Sequence, residues 1–260
     1  MSRRPFGQSH SAKPNLPRHG IARVLSKLGF CSRSQATELI RAGRVMVNGN
    51  VRKDPEFPVR FGVDQLSVDG RVVRIEDRVY LMLNKPRGLV TTASDEKGRA
   101  TVFQCLAGKN LPHLNPVGRL DQASEGLLLF TNDTTWADAV TDPITHCEKC
   151  YHVQVNRTFQ AEWKTKAEAG VHVDGEILRA LRLDLLRQGE KHCWLRIVLN
   201  EGRNRHIRRL LSSLELEVLR LVRVSIGHLV LGDLPKGQYR HLTPEEVRSL
   251  EHKTIDPPLS

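Results

Sequence analysis

The stretch 115–133, Asn-Pro-Val-Gly-Arg-Leu-Asp-Gln-Ala-Ser-Glu-Gly-Leu-Leu-Leu-Phe-Thr-Asn-Asp, constrains this chain more than any other. Its second half holds an unbroken apolar run, Leu127, Leu128, Leu129 and Phe130, which reads as a buried strand. The first half is a polar loop in which Gly118 and Gly126 permit sharp turns on either side of Arg119 and Asp121. In an extended segment those two side chains point the same way. A carboxylate held beside a guanidinium stays ionised, which suits a nucleophile or base needed at neutral pH. A structural ion pair at a loop mouth fits the same spacing.

The chain has 260 residues and a net charge of +11, so it suits an anionic partner, most simply nucleic acid. Aromatic residues make up 5%, too few for a chain built on many base-stacking platforms. No run reaches the roughly 18 apolar residues of a membrane span, and no apolar segment follows the basic N-terminus as in a secretory signal. Five scattered cysteines fit reduced thiols and a cytoplasmic protein. Cys147 and Cys150 have metal-like spacing, but there is no second such pair and His146 adjoins Cys147, so no metal is expected.

Residues 1–18 carry Arg3, Arg4, Lys13 and Arg18 with no acid and no periodicity, a disordered basic arm. Ile21, Leu25 and Leu28 then recur at helical spacing up to Gly29. Ser32 and Gln35 form a capping box for a second helix ending at Gly43. Two hairpins follow, turning at Asn48-Gly49 and Asp69-Gly70, with residues 52–64 as a loop between them. Residues 76–78 read as a linker. A strand over 79–83 leads into Asn84-Lys85-Pro86-Arg87-Gly88, a turn shaped by its proline and glycine. Beyond the Asp121 loop come a short helix capped at Asp133 or Thr134 and stopping at Pro143, and a strand over 148–155 with Tyr151, Val153 and Val155 on one face. Strands are expected near 177–186 and 193–199, a helix opening in Glu201-Gly202-Arg203-Asn204-Arg205-His206-Ile207-Arg208-Arg209, a final strand over 219–226 and a helix after Thr243-Pro244.

Several of these words resemble known families. Cys31-Ser32-Arg33-Ser34-Gln35-Ala36 and Gly43-Arg44-Val45-x-Val47-Asn48-Gly49 resemble the S4-type RNA-binding module. Gly118-Arg119-Leu120-Asp121 with Ser124-x-Gly126-Leu127-Leu128-Leu129-Phe130-Thr131-Asn132-Asp133 resembles the signature of the RsuA family of ribosomal RNA pseudouridine synthases. So do the Asn-Lys-Pro-x-Gly turn, Glu148-Lys149-x-Tyr151-x-Val153 and the arginine-rich segment at 201–211, and the likeness extends over 19–250.

The resemblance implies an α+β protein with a disordered arm (1–18), an S4-type domain (19–76) and a catalytic domain with a mixed, largely antiparallel sheet (77–260). It implies isomerisation of a uridine in ribosomal RNA, leaning toward the large subunit, with Asp121 as the catalytic residue and no cofactor. Tyr151 would pack on the base, Arg208 would hold Asp121, and Arg119 would also contact substrate. Arg23, Lys27, Arg33, Arg41 and Arg44 would meet RNA from the module, and Lys85, Arg203, Arg205 and Arg209 from the larger domain. His206 departs from the family's usual Gln or Glu, which leaves its role open. The expected partner is rRNA or a ribosome-assembly intermediate, with no membrane, and the protein is expected to be a monomer. The alternative is a non-catalytic S4-type RNA-binding or ribosome-assembly protein, against which the intact Asp121, Tyr151 and Arg208 set argues.

Overall fold

A computed structural model describes residues 17–74, 77–93, 95–142 and 147–251. Most of the basic arm, Glu76 of the linker, Pro143 and His146 lie outside the described residues. The chain divides into two compact units, Met1–Glu76 and Asp77–Ser260.

In the first unit, β1 (Arg18–Gly20) leads into α1 (Ile21–Lys27) and α2 (Arg33–Arg41). The capping box forms as its residue types dictate: the Ser32 hydroxyl accepts from the Gln35 amide, and the Gln35 side chain accepts from the Ser32 amide. β2 (Val45–Val47) and β3 (Asn50–Arg52) make the first hairpin. Asn48 and Gly49 both take the positive φ of a turn whose twist matches paired strands. Next come β4 (Pro58–Arg60), β5 (Leu66–Val68) and β6 (Arg71–Val72), giving a four-stranded sheet in the order β3-β2-β5-β6. Residues 52–64 are therefore not all loop. β4 pairs antiparallel with β1, which also moves Arg18 out of the expected arm and into a strand. Ile21, Leu25, Ala36, Ile40, Val45, Val47 and Val68 form this unit's own core. Each helix thus buries one apolar stripe and turns its charged side outward.

The second unit contains β7 (Tyr80–Lys85), a 3-10 turn (Val102–Leu106), β8 (Asn115–Val117), β9 (Glu125–Thr131), α3 (Thr134–Thr141) and β10 (Lys149–Val155). It continues with α4 (Ala161–Ala169), β11 (Val171–Val173), β12 (Glu176–Leu178), β13 (Arg182–Gln188), β14 (Cys193–Leu199) and α5 (His206–Ser213). β15 (Val218–Ile226), β16 (Leu229–Val230), β17 (Tyr239–His241) and α6 (Pro244–Glu251) complete it. Among the described residues nine strands share one sheet, in the order β13-β14-β10-β15-β9-β7-β17, with β16 on β15 and β8 on β9. The strand expected near 177–186 is two: β12 belongs to a separate hairpin with β11, and β13 is an edge of the main sheet.

All pairings described in the large sheet are antiparallel except the β9–β15 contact, where Glu125 and Gly126 run parallel to Val222 and Arg223. This short seam joins two antiparallel blocks. Gly126 has φ +100°, and a Cβ there would lie 2.2 Å from the Arg223 carbonyl oxygen, so only glycine allows the approach.

Every residue of β9 is buried, as its apolar run requires. Leu128 and Phe130 pack in a layer with Val153, Leu195 and Ile197, covered by Trp163 of α4 and by Ile207, Leu210 and Leu211 of α5. Leu127 and Leu129 face the opposite layer with Trp136 and Val140 of α3 and Leu250 of α6. Asp133 caps α3 by accepting from the Thr135 and Trp136 amides, and it also accepts from the Tyr80 hydroxyl at 2.9 Å. No helix among the described residues is long and apolar enough to cross a membrane.

Candidate active site

A cleft of about 470 Å³ opens in the second unit where the β8–β9 loop, β10, the start of α5 and β15 converge. Asp121, Tyr151 and Arg208 all line it, although the sequence carries them on three separate segments. Asp121 sits in the β8–β9 loop with its side chain 40% exposed. The loop's shape comes from local chemistry. Gly118 takes φ +71°, the Ser124 amide donates to the Asp121 carbonyl at 2.9 Å, and the Thr91 hydroxyl donates to the Leu120 carbonyl at 2.7 Å. Gln122 and Gly88 bond to each other's carbonyls, tying the loop to the turn after β7.

Lys85 is the centre of that tie. Expected to reach a phosphate, it is 0% exposed, and its ammonium donates to the carbonyls of Pro86, Asp121 and Ser124. A fully enclosed cation bonded to three backbone oxygens is a clamp on the loop, which corrects the expectation. Burial pulls its pKa down to about 8, against the pull of Glu125, Asp121 and Cys105.

No ion pair links Arg119 to Asp121 among the described residues. The segment bends at Gly118 and turns at Gln122 and Ala123, so strand alternation does not apply, and Arg119 stands exposed at the rim. The guanidinium nearest the carboxylate is that of Arg205, with Nη1 3.9 Å from Asp121 Oδ2. Arg205 precedes α5 in a left-handed conformation, φ +48°. Arg208, one turn on, is half-buried. Its terminal nitrogens donate to the carbonyls of Ala123 (3.2 Å) and Val218 (3.4 Å), so it fixes the loop beside Asp121 through the backbone. Burial lowers its pKa, with neighbouring Arg205 and Arg87 in the same direction and Asp121 opposed.

Tyr151 is 8% exposed and serves the core as well as the cleft. It pairs across the sheet with Ile197 on one side and Arg223 on the other, just past a register shift. Arg203 and Arg209, expected on phosphate, are held by acids: Arg203 by Glu201 and Glu176, Arg209 by Glu176 and Asp174. His206 is buried at the start of α5, 3.4 Å from Glu201, and burial lowers its pKa. In the first unit Arg23, Arg33 and Arg41 are exposed and Lys27 is half-buried, while Arg44 is paired with Asp69 at 2.6 Å.

Sequence reasoning assigned no role to Arg223 or Lys149, both of which line the cleft. For Arg223 the signal was present: it stands two positions after Leu221 in a strand, on the phase that faces the core. Cys147 and Cys150 are free thiols, and among the described residues no group of His, Cys, Asp or Glu is placed to hold a metal ion.

The family model for RNA pseudouridylate synthases matches residues 79–213, and that for the S4 domain matches residues 20–64. The ribosomal large subunit pseudouridine synthase B of Bacillus subtilis is 36% identical over 88% of this chain and 94% of its own length. An uncharacterized RNA pseudouridine synthase of Rickettsia conorii is 35% identical over 86% of this chain and 96% of its own. A crystal structure of a pseudouridylate synthase superposes with a TM-score of 0.62 at 30% identity, covering 90% of this chain and 99% of that one. The chain therefore belongs to the RNA pseudouridylate synthase family, with an S4 domain preceding the synthase domain.

Proposed function

We propose that the protein isomerises a specific uridine to pseudouridine in ribosomal RNA, the large subunit favoured, with Asp121 as the catalytic group. The observation that carries the proposal is the convergence of Asp121, Tyr151 and Arg208 on one cleft with room for a nucleotide. In this reaction the C1′–N1 bond breaks, the uracil turns while held, and C1′ bonds to C5. Atoms are only rearranged, so no group is transferred and no oxidant is required.

The target uridine must leave its helix to enter the cleft, at a cost of a few kcal/mol. Contacts between exposed arginines and phosphates offset that cost. The half-exposed Asp121 carboxylate acts at the sugar, either by attack on C1′ or by removal of the 2′ proton. The backbone bonds from Lys85 and Arg208 hold its loop while it does so. Tyr151 packs against the uracil ring. The work is that of a single chain in the cytoplasm, on rRNA or an assembling ribosomal particle.

Mapping pseudouridines in rRNA from cells with and without the gene tests the reading, and one site should disappear on deletion. In vitro, Asp121→Asn keeps the shape and removes the charge. It should lower the single-turnover rate by about 10²–10⁴-fold or more while RNA affinity stays within a few-fold. An unchanged pseudouridine map, or appreciable turnover by the Asn variant, overturns the respective assignment.

A further inference from the structure

Two cations that line the cleft play no part in the chemistry assigned to Asp121, Tyr151 and Arg208. Arg223 lies on β15, paired across the sheet with Tyr151 and, on its other side, with Gly126. It is 4% exposed. Its Nε donates to the Leu127 carbonyl at 2.8 Å, while Nη2 has no hydrogen-bond partner among the described residues. Lys149, two positions before Tyr151 on β10, lines the same cleft and donates to the Cys147 carbonyl at 2.9 Å. Burial pulls the Lys149 ammonium below its usual pKa, Cys147 opposing and Arg223 adding to the pull. Among the described residues no carboxylate forms an ion pair with either.

Buried guanidinium donors are ordinarily occupied, and buried charges are ordinarily paired. Two cations without a counter-ion, bordering a void, mark a place where a ligand brings negative charge. Their position says which part of the ligand. The strand-paired neighbour of Tyr151 meets whatever Tyr151 packs against. A phosphate, at the other end of the nucleotide, suits the exposed arginines at the rim.

We infer that Arg223 and Lys149 bind the carbonyl oxygens of the target uracil and stabilise the negative charge that the base acquires as it leaves C1′. This inference rests on the proposed isomerisation. When C1′–N1 breaks, the bonding pair stays with N1 and spreads over O2 and O4, whichever route the sugar takes. Forming C5–C1′ consumes that pair, and loss of the C5 proton with gain of one at N1 completes the product. Donors fixed where charge develops need no reorganisation during the step. Arg223 and Lys149 would thus be catalytic residues in contact with the base.

The test has a binding arm and a kinetic arm. The probes for binding are uracil and 5-nitrouracil, a base acidic enough to be an anion at neutral pH. The wild-type protein should bind 5-nitrouracil about tenfold or more tighter than uracil. Arg223→Met should lose that preference and Arg223→Lys should keep part of it. In the kinetic arm, Arg223→Met should lower the single-turnover rate on rRNA by about 10²–10³-fold, with RNA affinity near wild type. Lys149→Met repeats both measurements should Arg223→Met fail to fold.

No preference for the anionic base in the wild-type protein overturns the inference. So does a folded variant that keeps the preference, or a folded one that loses both bases equally. Weakened RNA binding with a shallower salt dependence and an unchanged saturated rate would move the pair to a phosphate and also overturn it. Intact preference for the anion in a protein that makes no pseudouridine would refute the proposed function and leave the anion site standing.

Discussion

The two units use the same residue types in opposite ways. The smaller unit keeps its helical arginines outside: Arg23, Arg33 and Arg41 project from α1 and α2 while Ile21, Leu25, Ala36 and Ile40 make the core. The synthase unit draws cations inward, with Lys85 fully enclosed, Arg223 nearly so and Arg208 half-buried. A solvated cation is strongly screened, and against RNA it supplies affinity through counterion release, with little dependence on its exact position. A buried cation is screened far less and is held to one place by the bonds it makes. The smaller unit's charge is thus suited to holding RNA, and the cleft's charge to fixing geometry.

Mutation can break that division. The largest effect should come from Lys85→Met, which leaves the carbonyls of Pro86, Asp121 and Ser124 short of a donor. Stability should fall by about 1–3 kcal/mol, and the single-turnover rate should fall further than that loss explains, because the Asp121 loop loses its clamp. Denaturant melts beside rate measurements check this. A normal rate in a destabilised protein would make Lys85 packing alone.

A pH series separates the two consequences of burying Lys85. Its folded pKa of about 8 lies below the ordinary 10.5, so between those values the unfolded chain binds more protons. By linkage, this group makes the folded state more stable as pH rises from about 8 to 10.5. Over the same window the ammonium loses one of its three donors and the clamp weakens. The wild-type rate should therefore drop as pH passes about 8 while the contribution of Lys85 to stability rises. The Lys85→Met variant should lack both trends.

Tyr151 gives a smaller and more selective effect. Tyr151→Phe should keep RNA binding, whereas Tyr151→Leu should lose about 1–3 kcal/mol of stacking. Because Tyr151 also belongs to the core, melting temperatures belong beside the rates, and normal rates with lowered melting would leave it as packing.

On the outer surface, replacing Arg23, Arg33 and Arg41 by Gln should weaken RNA binding and flatten its salt dependence, the slope falling by about 0.7–0.9 for each phosphate no longer neutralised. The rate at saturating RNA should not change, and a fall there would break the division of labour. The smallest effect belongs to Arg44→Ala. Its pair with Asp69 is open to solvent on both sides, where screening removes most of an ion pair's value, so melts should show almost no change in stability.

Local codes made much of this legible. The Ser32–Gln35 capping box, the Asn48-Gly49 and Asp69-Gly70 turns, the apolar run of β9 and the alternation of β10 each involve residues near one another in sequence, and each appears in the structure. What depended on distant partners was hidden. β1 and β4 are three-residue strands defined only by each other. α4 buries just Trp163 and Ala167 and has no side-chain cap, so its pattern is too thin to announce a helix. At the site, a lysine beside a proline looks like a surface cation. Lys85 is enclosed only because backbone 36 and 39 residues later folds over it. Arg205 comes nearer Asp121 than Arg119 does because of a left-handed residue before α5 and a bend at Gly118, neither of which periodicity reveals.

The parallel seam at Gly126 bears on when the enzyme becomes active during its own folding. Tyr151 belongs to the antiparallel block on one side of the seam, and the Asp121 loop leads into the strand on the other. The seam's pairings join residues 97 apart in sequence, and the bond from Arg223 to Leu127 spans 96. Closing so long a loop is entropically slow, whereas the β13–β14 and β7–β9 pairs on either side form from nearer neighbours. The cleft is consequently among the last features to assemble. During synthesis the first unit, with its basic helices, leaves the ribosome ahead of every residue of the cleft, so its charged surface is complete before the cleft is.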